Sequence, residues 1–471
     1  VFFGRPTRIV AVYAGIVSWP MQMHVNIMEE NDNKKISEEQ GTTMSLDGMF
    51  KDYWIDYASD VILDRSVPDI DDGLKPVQRR ILHAMNETDD GRFTKVANIV
   101  GNTMQYHPHG DASIKDALVN LGQKDLLIDC QGNWGNILTG DDAAAGRYIE
   151  ARLSKFAKEV VFNPKTTQWK PSYDGRKQEP VTLPIKFPLL LAQGTKGIAV
   201  TLTSVILPYN FCELLESSIK ILKDEEFSIF PDFPTGGLID VSRYNDGAMG
   251  GRLRIRAKMH YDEKRKAIVI TEIPYTVTTD VLIDSILKAN EKGKIKIKKV
   301  DDNTAAEVEI VVYLPVGVSP DQTIDALYAF TNCQISFSPQ TCVIVNDKPV
   351  FMTASEILRH NTSRTRDLLR QELEIQLDEL EDRWHWVSLE KIFFEKRIYK
   401  IMENERSKTW EDQVEQMERA FDPYRDQFKK EITRDDVLKL CEKPVRKISK
   451  FDIKRAMEEL ASIEMTIDEV K

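Results

Sequence analysis

Cysteine is scarce: five residues in 471, at Cys130, Cys212, Cys333, Cys342 and Cys441. No two stand in CxxC or CxxxC spacing and the number is odd. That excludes a disulfide framework and a structural zinc finger as organising principles, and it fits a reducing cytosol. GxSxG, HExxH and GxxxxGK[ST] are all absent, which removes the usual signatures of a serine hydrolase, a zinc protease and a phosphate-cradling P-loop. Without a P-loop, nothing in the chain looks equipped to bind ATP. Long apolar runs are missing too. The best candidate, Ile9 to Trp19 behind Arg5 and Arg8, spans about eleven residues and is too short to cross a bilayer. Positive charge is in overall deficit, with 64 Lys and Arg against 75 Asp and Glu, so net charge alone does not announce a nucleic-acid ligand.

The distribution of charge says more. Residues 147–196 hold ten Lys or Arg against four Asp or Glu, and a second basic stretch is Lys292-Gly-Lys-Ile-Lys-Ile-Lys-Lys299. A chain that is acidic overall and basic locally can carry a phosphate-binding face. Each cluster taken singly also reads as a solvated strand edge.

The length predicts about three domains. Residues 1–44 read as foreign to the rest, a disordered or spurious extension. A signal peptide is disfavoured because no small-x-small site follows the apolar run, and Met21, Met23, Met28 or Met44 are alternative starts. From residue 45 to 175 short helices alternate with Gly- and Pro-bearing connections. One is predicted over Tyr53–Leu63. The next begins at Pro76, with Val77, Ile81, Leu82 and Met85 on its apolar face and Lys75, Arg79 and Arg80 toward the other. A third covers Lys95–Met104, and a fourth runs from Asp111, as N-cap, to about Gln123. That is the pattern of a helix-turn-helix or winged-helix module. Residues 176–353 read as an α/β domain. Its strands are predicted at Ala267–Thr271, Lys294–Val300 and Ala306–Leu314, with a helix over Thr279–Asn290. From 354 to 471, Leu369, Leu373, Leu377, Leu380, Trp384 and Val387 recur at helical spacing among dense charge, the pattern of a long amphipathic or coiled-coil arm. The fold class is therefore α+β and multidomain.

Two stretches carry candidate chemistry. Gly140–Leu153 holds Arg147-Tyr148 behind three Ala and a Gly, small residues that would let a bulky polymer approach. As one of 14 tyrosines Tyr148 is unremarked, and only its neighbours raise it to a candidate nucleophile. The second stretch, His107-Pro-His109-Gly-Asp111, is an HxHxD string. It could place two imidazoles at a helix start, where a phosphate would sit, or supply part of a metallo-hydrolase ligand set. The residue after Asp111 is Ala112, so the last ligand of that set is missing.

Five motifs in register settle on a resemblance: Arg65-Ser-Val-Pro-Asp-Ile-Asp-Asp-Gly-Leu-Lys-Pro-Val-Gln-Arg-Arg80, Tyr106-His-Pro-His-Gly-Asp111, Gln131-Gly-Asn-Trp-Gly135, Ala143-Ala-Ala-Gly-Arg-Tyr148 and Gly197-Ile-Ala-Val200. The chain resembles the A subunit of bacterial type IIA DNA topoisomerases over about residues 46–471. The resemblance implies a winged-helix breakage-reunion domain, a "tower" domain and a coiled-coil arm leading to an exit gate. It implies that Tyr148 forms a 5′-phosphotyrosyl link, supported by Arg147, with Arg65, His109 and His107 around the scissile phosphate. Lys75, Arg79 and Arg80 would hold the DNA backbone, and Ile198 would wedge between base pairs. ATP and Mg²⁺ would be held by a separate B subunit in an A2B2 assembly with duplex DNA, the A chains pairing as a homodimer. The expected metal set on this chain is none, and the expected location is the cytoplasm, on the nucleoid. Two departures touch the wedge loop: Thr201 stands where the family often has Gly, and Leu207-Pro-Tyr-Asn210 replaces a usual Pro-Pro-His-Asn. A DNA-binding scaffold without chemistry remains the alternative from another class.

Overall fold

The computed structural model describes residues 53–403, 409–442 and 453–471, of which Trp54–Lys471 form one compact unit. The expected N-terminal extension lies outside the described residues.

The first part of the described chain holds four helices and a small sheet. Helix α1 (Ile55–Asp60) runs on into a wider π turn over Val61–Ser66. Helix α2 (Pro76–Glu87) starts with proline at its first turn, where the missing N–H costs nothing. Strand β1 (Thr94–Lys95), helix α3 (Val96–Thr103), helix α4 (Asp111–Gly122), strand β2 (Ile128–Gln131) and strand β3 (Glu150–Leu153) follow. The three strands form an antiparallel sheet in the order β1-β3-β2. Leu74, Ile81, Leu82, Ile114, Leu118, Leu121, Ile128 and Ile149 fill the space between helices and sheet, and this core reaches as far as Leu189. The cap of α4 differs from expectation. Gly110 is the N-cap and Asp111 the first helical residue, with no side-chain capping bond. Its carboxylate still sits favourably near the helix N-terminus.

Next comes a hairpin, β4 (Thr195–Ile198) with β5 (Thr203–Ile206), antiparallel in the register Thr195↔Ile206 to Ile198↔Thr203. Two further antiparallel sheets follow: a three-stranded one ordered Gln334–Phe337, Arg252–Arg256, Leu238–Arg243, and a four-stranded one ordered Lys258–Asp262, Ala267–Glu272, Ile310–Tyr313, Lys299–Asp302. The buried strand over Ala267–Glu272 and helix α5 (Thr279–Glu291) stand where the apolar pattern puts them. The expected strand over Lys294–Val300 does not. Strand pairing begins only at Lys299, and the preceding residues drop Ile295 and Ile297 into the core while their lysines face out. Alternation there records one buried face without a ladder.

Helix α6 (Ala354–Glu395) is 42 residues long and opens with a capping box between Thr353 and Glu356. Its N-terminal part packs Ala354, Ile357 and Leu358 into a second core with Ile70, and is tied to the segment before α2: His360 and Arg364 both pair with Asp71, at 2.9 and 3.0 Å, and Asn361 donates to the Ile70 carbonyl at 2.9 Å. Its C-terminal part packs Leu389, Ile392 and Phe393 on α7 (Trp410–Phe421) and α8 (Arg434–Cys441). Between them Leu377, Leu380, Trp384 and Val387 meet α9 (Ile453–Val470) through Ala456, Leu460, Ile463 and Ile467. Among the described residues this seam covers only part of the apolar stripe, since Leu369 and Leu373 stay about half exposed.

Candidate active site and DNA interface

The loop before β3 is fixed by the start of α3. The first backbone N–H groups of that helix have no intrahelical acceptor. Val96 N–H donates to the Ile149 carbonyl and Ala97 N–H to the Gly146 carbonyl, each at 3.0 Å. Tyr148 is thus held between two anchored carbonyls while its own side chain is free: it is 64% exposed. Its hydroxyl has no hydrogen-bond partner among the described residues, and the Arg147 guanidinium lies 4.5 Å from its ring centre. A Cβ on Gly146 would come within 3.2 Å of the Val96 side chain. The small residues ahead of the tyrosine therefore serve packing, with Ala143 and Ala144 set against the first core.

A second cluster gathers on α1, α2 and the turn before α4. Arg80 grips Glu179 with two nitrogens, at 2.7 and 3.1 Å, and donates a third N–H to His107 Nδ1 at 3.2 Å. Since a guanidinium only donates, Nδ1 accepts and the proton of the neutral ring sits on Nε2. The His107 and His109 rings meet edge to face, 4.8 Å apart. Burial, then the charges of Arg80, His109 and Arg65, push His107 down to about 4. Burial and Arg65 also lower His109. Arg65 is exposed and pairs with Asp60, at 3.1 Å, both side chains about half accessible, a pairing that an incoming phosphate can displace at little cost. Arg65, His107 and His109 thus gather in one region, with Glu179, Asp60 and Asp64 the carboxylates acting on the two imidazoles. The HxHxD string does not gather a metal set: among the described residues no three His, Cys, Asp or Glu side chains come together.

Arg79 stands elsewhere than expected. Its side chain is buried, 8% accessible, and chelates the fully buried Asp72 at 2.5 and 2.9 Å. Asp72 also accepts the Leu74 and Leu183 N–H groups, each at 3.0 Å. Arg79 is a post inside the first core and is not available to a phosphate in this structure. Lys75, at the N-cap of α2, turns its Nζ to the Lys196 carbonyl at 2.7 Å. Ile198, on β4, is 70% exposed. A Cβ on Gly197 beside it would overlap the Ser66 carbonyl oxygen, so only glycine lets the hairpin lie this close to the end of the π turn.

The positive balance of residues 147–196 is largely consumed within the chain. Arg152, Lys158, Lys165, Lys177 and Lys186 pair with Asp129, Asp89, Glu379, Glu87 and Glu372. Asp72, Glu179, Ser66 and Lys124 are the site neighbours that sequence reasoning missed. Each acts on a residue far along the chain or through a backbone group, and no local spacing signals that.

The candidate site thus comprises an exposed tyrosine in an anchored loop, an Arg65–His107–His109 cluster and an exposed isoleucine on a hairpin. The family model for the A subunit of DNA gyrase/topoisomerase IV matches residues 65–471. The chain belongs to that family, the A subunits of type IIA DNA topoisomerases. It is 42% identical over 448 residues to the DNA topoisomerase 4 A subunit of Borreliella burgdorferi, covering 91% of this chain and 69% of the relative. It is 35% identical over 368 residues to the DNA gyrase A subunit of Lawsonia intracellularis, covering 73% of this chain and 45% of that one. Against the DNA gyrase A subunit of Staphylococcus aureus it is 35% identical over 387 residues, covering 76% and 43%. The chain thus spans about two thirds of the topoisomerase 4 relative and less than half of these gyrase relatives. Among the described residues no helix is long and apolar enough to cross a membrane.

Proposed function

We propose that the chain is the strand-cleaving and resealing subunit of a type II topoisomerase, with Tyr148 as nucleophile and a chemistry nearer topoisomerase IV than gyrase. The observation that carries this is the exposed Tyr148 side chain on a loop anchored to α3, with the Arg147 guanidinium 4.5 Å from its ring centre. The phenol oxygen attacks a backbone phosphorus, the P–O3′ bond breaks, and the 3′ oxygen leaves with a proton. Resealing reverses this. One phosphoester replaces another, so neither direction needs ATP. Arg147 stabilises charge that develops on the phenol oxygen and the phosphorane. Arg65, His109 and His107 act on the phosphate oxygens, His107 as an Nε2–H donor, and Lys75 and Arg80 lend positive potential along the backbone. Ile198 is the wedge that parts a base step.

The first core is read as a winged-helix module, residues 176–353 as the tower, and α6 to α9 as the arm toward an exit gate through which two copies pair. Two phenols are needed for a double-strand break, so a C2 dimer follows. Members of this family typically use Mg²⁺ and ATP; among the described residues the donor set around His107 and His109 does not fit a metal ion, and we assign both to a B subunit in an A2B2 complex working on DNA in the cytoplasm. The test is to mix chain, B subunit, Mg²⁺ and supercoiled plasmid, then denature. Protein covalently held on DNA 5′ ends supports the reading. DNA cut without attached protein, or bound without cutting, favours a different nuclease or a scaffold.

A further inference from the structure

The β4–β5 hairpin is clamped along its free edge by three side chains from three elements. Carbonyls of alternate residues in a strand point to one side, and those of Gly194, just before β4, and of Lys196 and Ile198 on it face away from β5. Lys124, just past the end of α4, donates its Nζ to Gly194 O at 2.7 Å. Lys75, at the N-cap of α2, donates to Lys196 O at 2.7 Å. Ser66, closing the π turn, donates Oγ to Ile198 O at 2.9 Å. The opposite edge is held as well: Val205 and Gln340 exchange both backbone bonds, at 2.8 and 3.1 Å, and Ser204 Oγ reaches Cys342 O at 2.7 Å.

Neither lysine has a carboxylate partner among the described residues. Burial lowers both ammonium groups, and Lys124, which also feels the charge of Lys75, falls to about 8. Removing two cations from water with carbonyl dipoles alone in return is a poor way to stabilise a fold. It is a good way to fix a short strand. An isolated two-stranded hairpin is marginal in water, and prising a base step apart loads its tip.

We infer that Lys124 is a positioning residue for DNA bending, acting with Lys75 and Ser66 to hold β4 rigid so that Ile198 can serve as a wedge. The inference rests on the reading of Ile198 given under Proposed function. It separates Lys124 from the phosphate-binding lysines of the surface, because its ammonium is engaged with the hairpin carbonyl.

The experiment uses the full chain, its B subunit, plus a duplex labelled at both ends, so that bending is read by energy transfer and binding by anisotropy over a salt series. Lys124→Met keeps the stem and removes donor and charge. Bending and cleavage should fall about tenfold or more, as a misplaced reactive geometry would require, while the salt slope of binding stays at the wild-type value. Lys124→Arg should restore bending, which a loss of packing alone would not explain. Ser66→Ala, removing the clamp nearest the tip, should lower bending on its own and supplies the test should Lys124→Met fail to fold. A salt slope shallower by about 0.9 in Lys124→Met would identify a phosphate contact and overturn the inference. So would wild-type bending in a folded Lys124→Met or in Ser66→Ala. If the wild-type chain leaves the duplex straight, or Ile198→Ala bends it normally, the wedge reading itself fails and the clamp falls with it.

Discussion

Arg80 donates to Nδ1 of His107 at 3.2 Å while the same guanidinium chelates Glu179. The pairing fixes a neutral imidazole with its remaining N–H outward, and it makes His107 a proton-sensitive part of the fold. The His107 value is about 4, against an ordinary 6.5, so between those pH values the unfolded chain binds the extra proton and the folded chain does not. Stability from this source is complete above the ordinary value and is lost as pH falls toward the folded one. Lowering pH from 6.5 to 5 should cost the wild type about 1.5 kcal/mol relative to His107→Asn. Urea unfolding of both proteins across that window checks this, and parallel pH curves would contradict it.

Arg79 and Arg65 should fail in opposite ways. Arg79→Ala leaves Asp72 charged and buried, and should cost about 3–5 kcal/mol of stability. Arg65→Ala breaks only an exposed pair and should cost under about 1 kcal/mol, yet it should depress cleavage strongly. Denaturation midpoints beside a plasmid-cleavage assay separate the two. A stable Arg79→Ala with selectively weakened DNA binding would restore its expected role at the phosphates.

Thr201 holds φ at +63°, a left-handed conformation that a β-branched residue adopts only under strain. Thr201→Gly should relieve about 1 kcal/mol, visible as a higher unfolding midpoint. Hydrogen exchange in β4 and β5 should slow correspondingly. Thr201→Val should do neither.

Lys124 gives a pH signature of opposite range. Its folded value of about 8 lies below the ordinary 10.5, so above pH 8 the unfolded chain holds the proton that the folded chain has released. Stability should rise as pH increases from about 8 to 10, by about 2 kcal/mol once partial exposure is discounted. Lys124→Met should lack that rise, and the difference between the two unfolding curves isolates it.

Much of the fold was legible because it is local. Pro76 and the spacing of Val77, Ile81, Leu82 and Met85 specify α2, the run Ala267–Thr271 specifies a buried strand, and the leucine stripe specifies α6. What was not legible is set by contacts distant in sequence. The spacing of α2 cannot say that Arg79 turns inward, because Asp72 and Leu183 decide it. The alternation at Lys294–Lys298 cannot say whether a partner strand is present. The motif around Tyr148 marks the tyrosine, but the reason for Gly146 is α3, some fifty residues earlier in the chain.

The most direct test of the central claim is the identity of the residue bonded to DNA. With Mg²⁺ and the B subunit present, a denatured cleavage reaction should yield a peptide carrying a 5′-phosphonucleotide on Tyr148, and Tyr148→Phe should yield none while still binding duplex DNA. A covalent link that survives in Tyr148→Phe, or that maps to another residue, would contradict the account.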